Sequence, residues 1–146
     1  MLRLLPPHVR VTYRGEVPHA RVRETFHRYD AFVFPTRGEN FGHAVAESLS
    51  ASCPVLCSAA TPWSAVLAAG GGTVVRPLTP AAFGAALAEM AARTPAERHR
   101  PRQRAGAAYR AWWVERAALP HLFDQARSAL LAGEQGTAGA GASAHH

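Results

Sequence analysis

The sequence predicts an α/β fold: a parallel sheet flanked by helices, followed by a helical C-terminal extension. Three observations carry this. Short, largely apolar runs at 31–35, 54–58 and 73–75 alternate with helix-length segments. Helix starts are marked by Thr61-Pro62 and Thr79-Pro80, where a hydroxyl can cap and proline fits the first turn. Strands that alternate with helices are joined by crossovers, which makes their sheet parallel.

Taken in order, residues 9–13 (Val-Arg-Val-Thr-Tyr) alternate apolar and polar and run into Arg14-Gly15, the pattern of a strand ending in a turn. Residues 21–27 carry Val22 and Phe26 four apart, as one helix face requires. Tyr29-Asp30 leads into a buried strand at 31–35. A glycine-bounded loop follows, then a helix over 43–51, and a second buried strand at 54–58. A helix from Thr61 ends at Gly70-Gly71-Gly72, where positive φ costs glycine nothing. After the strand at 73–75, a helix over 80–92 places Phe83, Leu87 and Met90 on one side. Further helices are expected from Pro95 through Trp112-Trp113 and over 119–131. The resulting division is one domain at 1–132, and a disordered Gly/Ala-rich tail is expected at 133–146.

Composition bounds the rest. With 146 residues, 48% apolar and 18% charged, the chain reads as one globular domain able to bury its own core. No apolar run reaches the roughly 18–20 residues that cross a bilayer. The apolar part of the first seven residues is too short for a signal peptide, so a cytoplasmic location is expected. Cys53 and Cys57 share a predicted strand, which sets their Cα atoms roughly 13 Å apart. A disulfide needs about 7 Å or less. They are read as buried thiols, and their spacing is not that of a metal or redox motif.

The net charge is +6, and all 16 basic residues are arginine. They are scattered apart from Arg93, Arg98, Arg100, Arg102 and Arg104, read as a solvated helix face. No nucleic-acid motif accompanies them, so no nucleic-acid partner is expected. Membrane contact is expected only peripherally.

The chemistry-bearing stretch is Gly38-Glu39-Asn40-Phe41-Gly42-His43-Ala44-Val45-Ala46-Glu47, placed where a strand meets a helix. Ligands of open α/β sheets collect there, at the carboxyl ends of strands and against helix N-termini. A carboxylate in that loop repels phosphate but accepts hydrogen bonds from sugar or ribose hydroxyls. Two readings of the pair stand: hydroxyl-binding carboxylates, or Glu39 as a helix cap and Glu47 as a solvated side chain.

The stretch 35–43, with Ala46-Glu47-Ser48-Leu49 and Cys53-Pro54-Val55-Leu56 after it, resembles the donor-site signature of the group 1 glycosyltransferases. Tyr13-Arg14-Gly15-Glu16-Val17, Arg28-Tyr29-Asp30 and Thr61-Pro62-Trp63 fall in the same order as in that family, so the likeness runs from Val9 to Ala129. The resemblance implies a partial Rossmann-like sheet, the incomplete C-terminal half of a GT-B fold that begins partway into the donor-binding domain. It implies transfer of a sugar with retention from a nucleoside-diphosphate sugar, which is a substrate; no cofactor and no metal are expected. By position, Glu39 would be the catalytic carboxylate. The amides of Asn40, Phe41 and Gly42 would join it on the donor sugar, Glu47 would hold the ribose hydroxyls, and Val17 would neighbour the base.

In the family a basic pair that precedes Val9 neutralises the donor phosphates, and this sequence has no equivalent. Arg37 sits in the right loop but at a variable place in the pattern. His43 either donates to an oxygen or only packs. Trp63 either walls the site or anchors a helix start, and Trp112 and Trp113 are expected in the core. An acceptor-binding half is a possible missing partner, and the chain alone is expected to be inactive. The alternative is a non-catalytic nucleotide-sugar-binding module or subunit that pairs with a separate N-terminal half.

Overall fold

The computed structural model describes residue 6 and residues 8–119. The expected helix over 119–131 and the tail at 133–146 lie outside the described residues, save Leu119. By its contacts the chain divides into two compact units, residues 1–110 and 111–146.

The first unit is built on a parallel sheet of three strands in the order β1-β2-β3: β1 (Phe32–Phe34), β2 (Val55–Ser58) and β3 (Gly72–Val75). Phe32 lies opposite Val55, and Val55 opposite Gly72. Around the strands run α1 (His19–His27), α2 (His43–Ser50), α3 (Ser64–Val66), α4 (Pro80–Ala91) and α5 (Pro95–Ala118), the last of which continues into the second unit. The expected α/β class with a partial Rossmann-like parallel sheet is what the chain forms.

The central strand β2 is buried at every residue, with Val55, Leu56 and Cys57 fully inside. Leu56 packs with Val75 of β3 and Phe83 of α4, backed by Ala82, Ala86 and Met90. Because side chains alternate along a strand, Val55 and Cys57 point to the other face. α2 packs against β2 and buries Val45, Ser48 and Leu49. Ser48 Oγ donates to the Cys53 carbonyl at 2.9 Å, so the one hydroxyl on that buried face is satisfied.

Both cysteines are free and buried. Burial raises both thiol pKa values, partly offset by hydrogen bonding to Ser48 for Cys53 and to Ser58 for Cys57. An acid whose folded pKa lies above its unfolded value binds more protons in the native state. Stability is therefore expected to fall as pH rises above about 8.5, where the unfolded thiols ionise. Chemical denaturation at pH 7 and pH 9.5 checks the direction, and Cys53→Ala/Cys57→Ala should flatten the dependence.

One expected strand is absent. Residues 9–13 form no strand and lie exposed, with Val11 at 58% and Tyr13 at 92%. Alternation alone does not make a strand, since a ladder needs a neighbour to receive its N–H and C=O groups. Elsewhere the shifts are at boundaries. α1 begins at His19 rather than Arg21, with the Arg21 N–H bonded to the Pro18 carbonyl at 2.8 Å. The helix expected from Thr61 starts only at Ser64, because the Thr61 hydroxyl accepts from the Trp63 N–H at 3.3 Å instead of capping a longer helix. It then widens into a π turn over Leu67–Gly71.

The other caps follow expectation. Thr79 Oγ1 accepts from the Ala82 N–H at 3.2 Å. At the start of α5, Thr94 and Glu97 cap reciprocally: Glu97 Oε2 accepts from the Thr94 N–H at 2.7 Å, and Thr94 Oγ1 accepts from the Glu97 N–H at 3.3 Å. The Thr94 N–H and hydroxyl, both donating to Glu97 Oε2, hold that carboxyl below its ordinary pKa.

The arginines of α5 are not one solvated face. Arg98 Nη1 reaches Asp30 Oδ2 at 3.0 Å. Arg102 donates to the His27 carbonyl at 2.8 Å and to the Tyr29 carbonyl, neutralising the carbonyl-rich end of α1. Gly106 lets α5 approach Ser52, and a Cβ there would collide with Ser52 Oγ. Gly106→Ala is expected to cost about 1–3 kcal/mol through this overlap, read as a lowered midpoint in urea.

In the second unit, the described end of α5 carries Trp112 and Trp113, ring centroids 6.2 Å apart, with the Arg116 guanidinium 5.6 Å from the Trp112 centroid. Trp113 is 57% exposed, which corrects its expected core position.

Candidate functional site

The site is assembled where β1 ends. Beyond Phe34, the Thr36 hydroxyl both donates to the Gly38 carbonyl at 2.8 Å and accepts from the Gly38 N–H at 3.1 Å. This closes a tight side-chain turn. Ser58, the last residue of β2, donates its hydroxyl to the Thr36 carbonyl and ties the turn to the sheet.

From there the chain passes through Glu39, Asn40 and Phe41 to Gly42, which has φ +77° and caps α2. The left-handed conformation favours glycine, and the space confirms it. A Cβ at Gly42 would press on the Trp63 indole at 3.1 Å and on Glu39 Cγ at 3.2 Å. The Gly42 carbonyl receives the Val45 and Ala46 N–H groups at 2.9 and 3.1 Å and so starts the helix. α2 has no acidic residue in its first turn, and its cap residue offers no side-chain bond. The first N–H groups of such a helix have no partner within it.

Glu39 is half-buried, and its Oε1 accepts from the Gly42 N–H at 3.1 Å. The helix-cap reading of Glu39 is thus realised with one carboxylate oxygen. Oε2 has no partner among the described residues. Of the three amides named from the sequence, that of Gly42 is engaged by Glu39.

Trp63 anchors the loop. It is 2% exposed, its indole N–H donates to the Phe41 carbonyl, and its ring meets the Phe41 ring edge-on at 5.8 Å. His43 lies exposed against Phe41, ring centroids 4.6 Å apart. Of the two expectations for Trp63, anchor describes its position: what it anchors is the loop itself. Sequence reasoning did not find the Trp63–Phe41 and Ser58–Thr36 bonds. Both span 22 residues, and no local pattern signals a contact of that separation.

Glu47 lies half-buried on α2, one turn beyond His43 and on the same side of the helix. Its carboxylate has no partner among the described residues, and its backbone carbonyl accepts the Ser50 hydroxyl at 2.8 Å. Arg37 lines a mostly apolar cavity of about 350 Å³ with Val33, Leu78 and Phe83. Val17 is 41% exposed and lines a cavity of about 370 Å³ with Arg14, Arg21 and Tyr29. None of residues 38–47 lines that cavity.

Among the described residues, no group of three or more His, Cys, Asp or Glu side chains could hold a metal ion. No described helix is long and apolar enough to cross a membrane.

The arrangement suits polyhydroxyl ligands: one spare carboxylate oxygen in a tethered loop and a second carboxylate on the following helix. The family model for glycosyl transferases group 1 matches residues 3–107. A search of curated proteins returned no match. The match covers the sheet, the loop and α2, and with it the chain belongs to the group 1 glycosyltransferases.

Proposed function

We propose that this chain is the donor-binding part of a retaining glycosyltransferase that takes its sugar from a nucleoside-diphosphate sugar. The observation that carries the reading is the 38–47 segment: a loop held by Trp63 and Ser58 at the carboxyl end of β1, presenting Glu39 beside the start of α2. Glu39 Oε2 and the Asn40 and Phe41 amides hold the donor sugar as positive charge grows at its anomeric carbon and the nucleotide departs. A fixed carboxylate near that centre stabilises the charge without reorganising. Glu47 accepts from the ribose hydroxyls. The donor is a substrate, and the reading calls for no cofactor, metal or nucleic acid.

The same reading makes the chain inactive alone. β1 pairs only with β2 among the described residues, and Val33 on it is 37% exposed. A bare strand edge favours a companion that continues the sheet and carries the acceptor site and the phosphate-neutralising charges. Whether that companion belongs to the same polypeptide or to a separate subunit, the donor loop has the same role. Two buried free thiols support a reducing compartment such as the cytoplasm.

Calorimetric titration with uridine-, adenosine- and guanosine-diphosphate sugars tests the reading. Saturable binding of at least one donor, with no turnover by the chain alone, is expected. No binding to any donor contradicts the donor site, and turnover by the chain alone contradicts the incompleteness. Where a completed enzyme turns over, proton NMR of the first product should show the anomeric configuration of the donor.

A further inference from the structure

A cavity with several charged walls lies at the other end of the sheet. It encloses about 710 Å³, within the range of small-molecule sites, and is lined where β2 and β3 begin, by Val55 and Thr73, and by Arg93, Glu97, Arg100 and Arg104. These four residues recur at spacings of four, three and four, which places them on one side of the chain leading into and along α5. Arg98 and Arg102, on another side, are bonded to the 27–30 segment. The arginine cluster therefore has two jobs, and only Arg93, Arg100 and Arg104 face the cavity.

The charges in the cavity are unequal. Three guanidiniums meet one carboxylate, Glu97, whose Oε2 already takes the Thr94 N–H and hydroxyl. Arg93 is paired with Glu89 at 3.3 Å. Arg100 and Arg104 have no hydrogen bond or ion pair among the described residues. Arg104 is also positioned: its stem lies over Gly70, where an added Cβ would sit 3.3 Å from its Cβ and from its Nε. Gly70 has φ +119°, a conformation that keeps the turn beneath Arg104 free of a side chain. The remaining walls include the apolar side chains of Val55, Met90 and Pro101.

We propose that this cavity binds the phosphate or diphosphate group of a small phosphorylated molecule, held by Arg100 and Arg104 with its body against the apolar wall. Planar guanidiniums match phosphate oxygens in pairs, and two of them without internal partners retain their donors for a ligand. The site lies at the amino ends of the strands, whereas the donor loop follows the carboxyl end of β1. Either site can be present without the other.

Titration with inorganic pyrophosphate and with glucose 1-phosphate, followed by amide NMR shifts at low salt, tests it. Saturable shifts are expected around 93–104, weakened at least tenfold in Arg100→Ala/Arg104→Ala. The control Arg10→Ala/Arg23→Ala removes the same net charge from exposed positions and is expected to bind like the parent. Thermal melts establish that both variants fold. Equal weakening by the two double variants, or no saturable shift at 93–104, overturns the proposal. So does binding confined to vesicles containing phosphatidylglycerol, with no response to either soluble probe, since that marks a lipid headgroup surface instead.

Discussion

Trp63→Ala is expected to lower unfolding free energy by about 3–5 kcal/mol, a large share of the 5–15 kcal/mol that holds a domain together. Trp63 is the largest side chain buried to this degree. Its removal leaves a cavity beneath the loop, because Gly42 and Phe41 pack directly on the indole. It also removes the bond that the indole N–H donates to the Phe41 carbonyl. Trp63→Phe separates these effects. It keeps much of the packing and loses the bond, for an expected cost of about 1–3 kcal/mol. Urea denaturation of the three proteins checks the order, parent above Phe above Ala. If Ala and Phe are equally destabilised, the hydrogen bond rather than the packing dominates. If neither matters, Trp63 does not anchor the loop.

Glu47→Ala is expected to weaken binding of a nucleoside-diphosphate sugar by about tenfold or more, the loss of hydrogen bonds to a charged acceptor. Its fold should be retained, because the carboxylate has no partner among the described residues and alanine favours the helix. Binding of the free sugar should be unaffected, since the proposed partner of Glu47 is the ribose. Calorimetry with the nucleoside diphosphate, the nucleotide sugar and the free sugar distinguishes a ribose contact from a general electrostatic one. Glu47→Gln should recover part of the affinity in the first case.

Much of this was legible in the sequence because it is local. Largely apolar runs located β1, β2 and β3, and Thr79-Pro80 located the start of α4 to the residue. The Gly38 to Gly42 loop, with Glu39 and Glu47 on either side of a helix start, could be read from spacing and from the family signature. What local pattern missed depends on partners distant in the chain. Residues 9–13 have the alternation of a strand, yet alternation specifies a face and supplies no neighbour. The contacts from Trp63 and Ser58 to the loop join segments that only the β1–β2 pairing brings together. The five arginines at 93–104 looked like a single solvated face; the helix divides them, Arg98 and Arg102 towards α1 and Arg93, Arg100 and Arg104 towards a cavity.

The central claim is that the loop at 38–42 and the helix after it receive the donor. Amide-resolved NMR titration of the chain with the nucleoside-diphosphate sugar that binds best tests this directly. Saturable shifts concentrated at Asn40, Phe41, His43 and Glu47, and lost together in Glu47→Ala, are the predicted result. Shifts that saturate elsewhere while these four residues stay unmoved would contradict it.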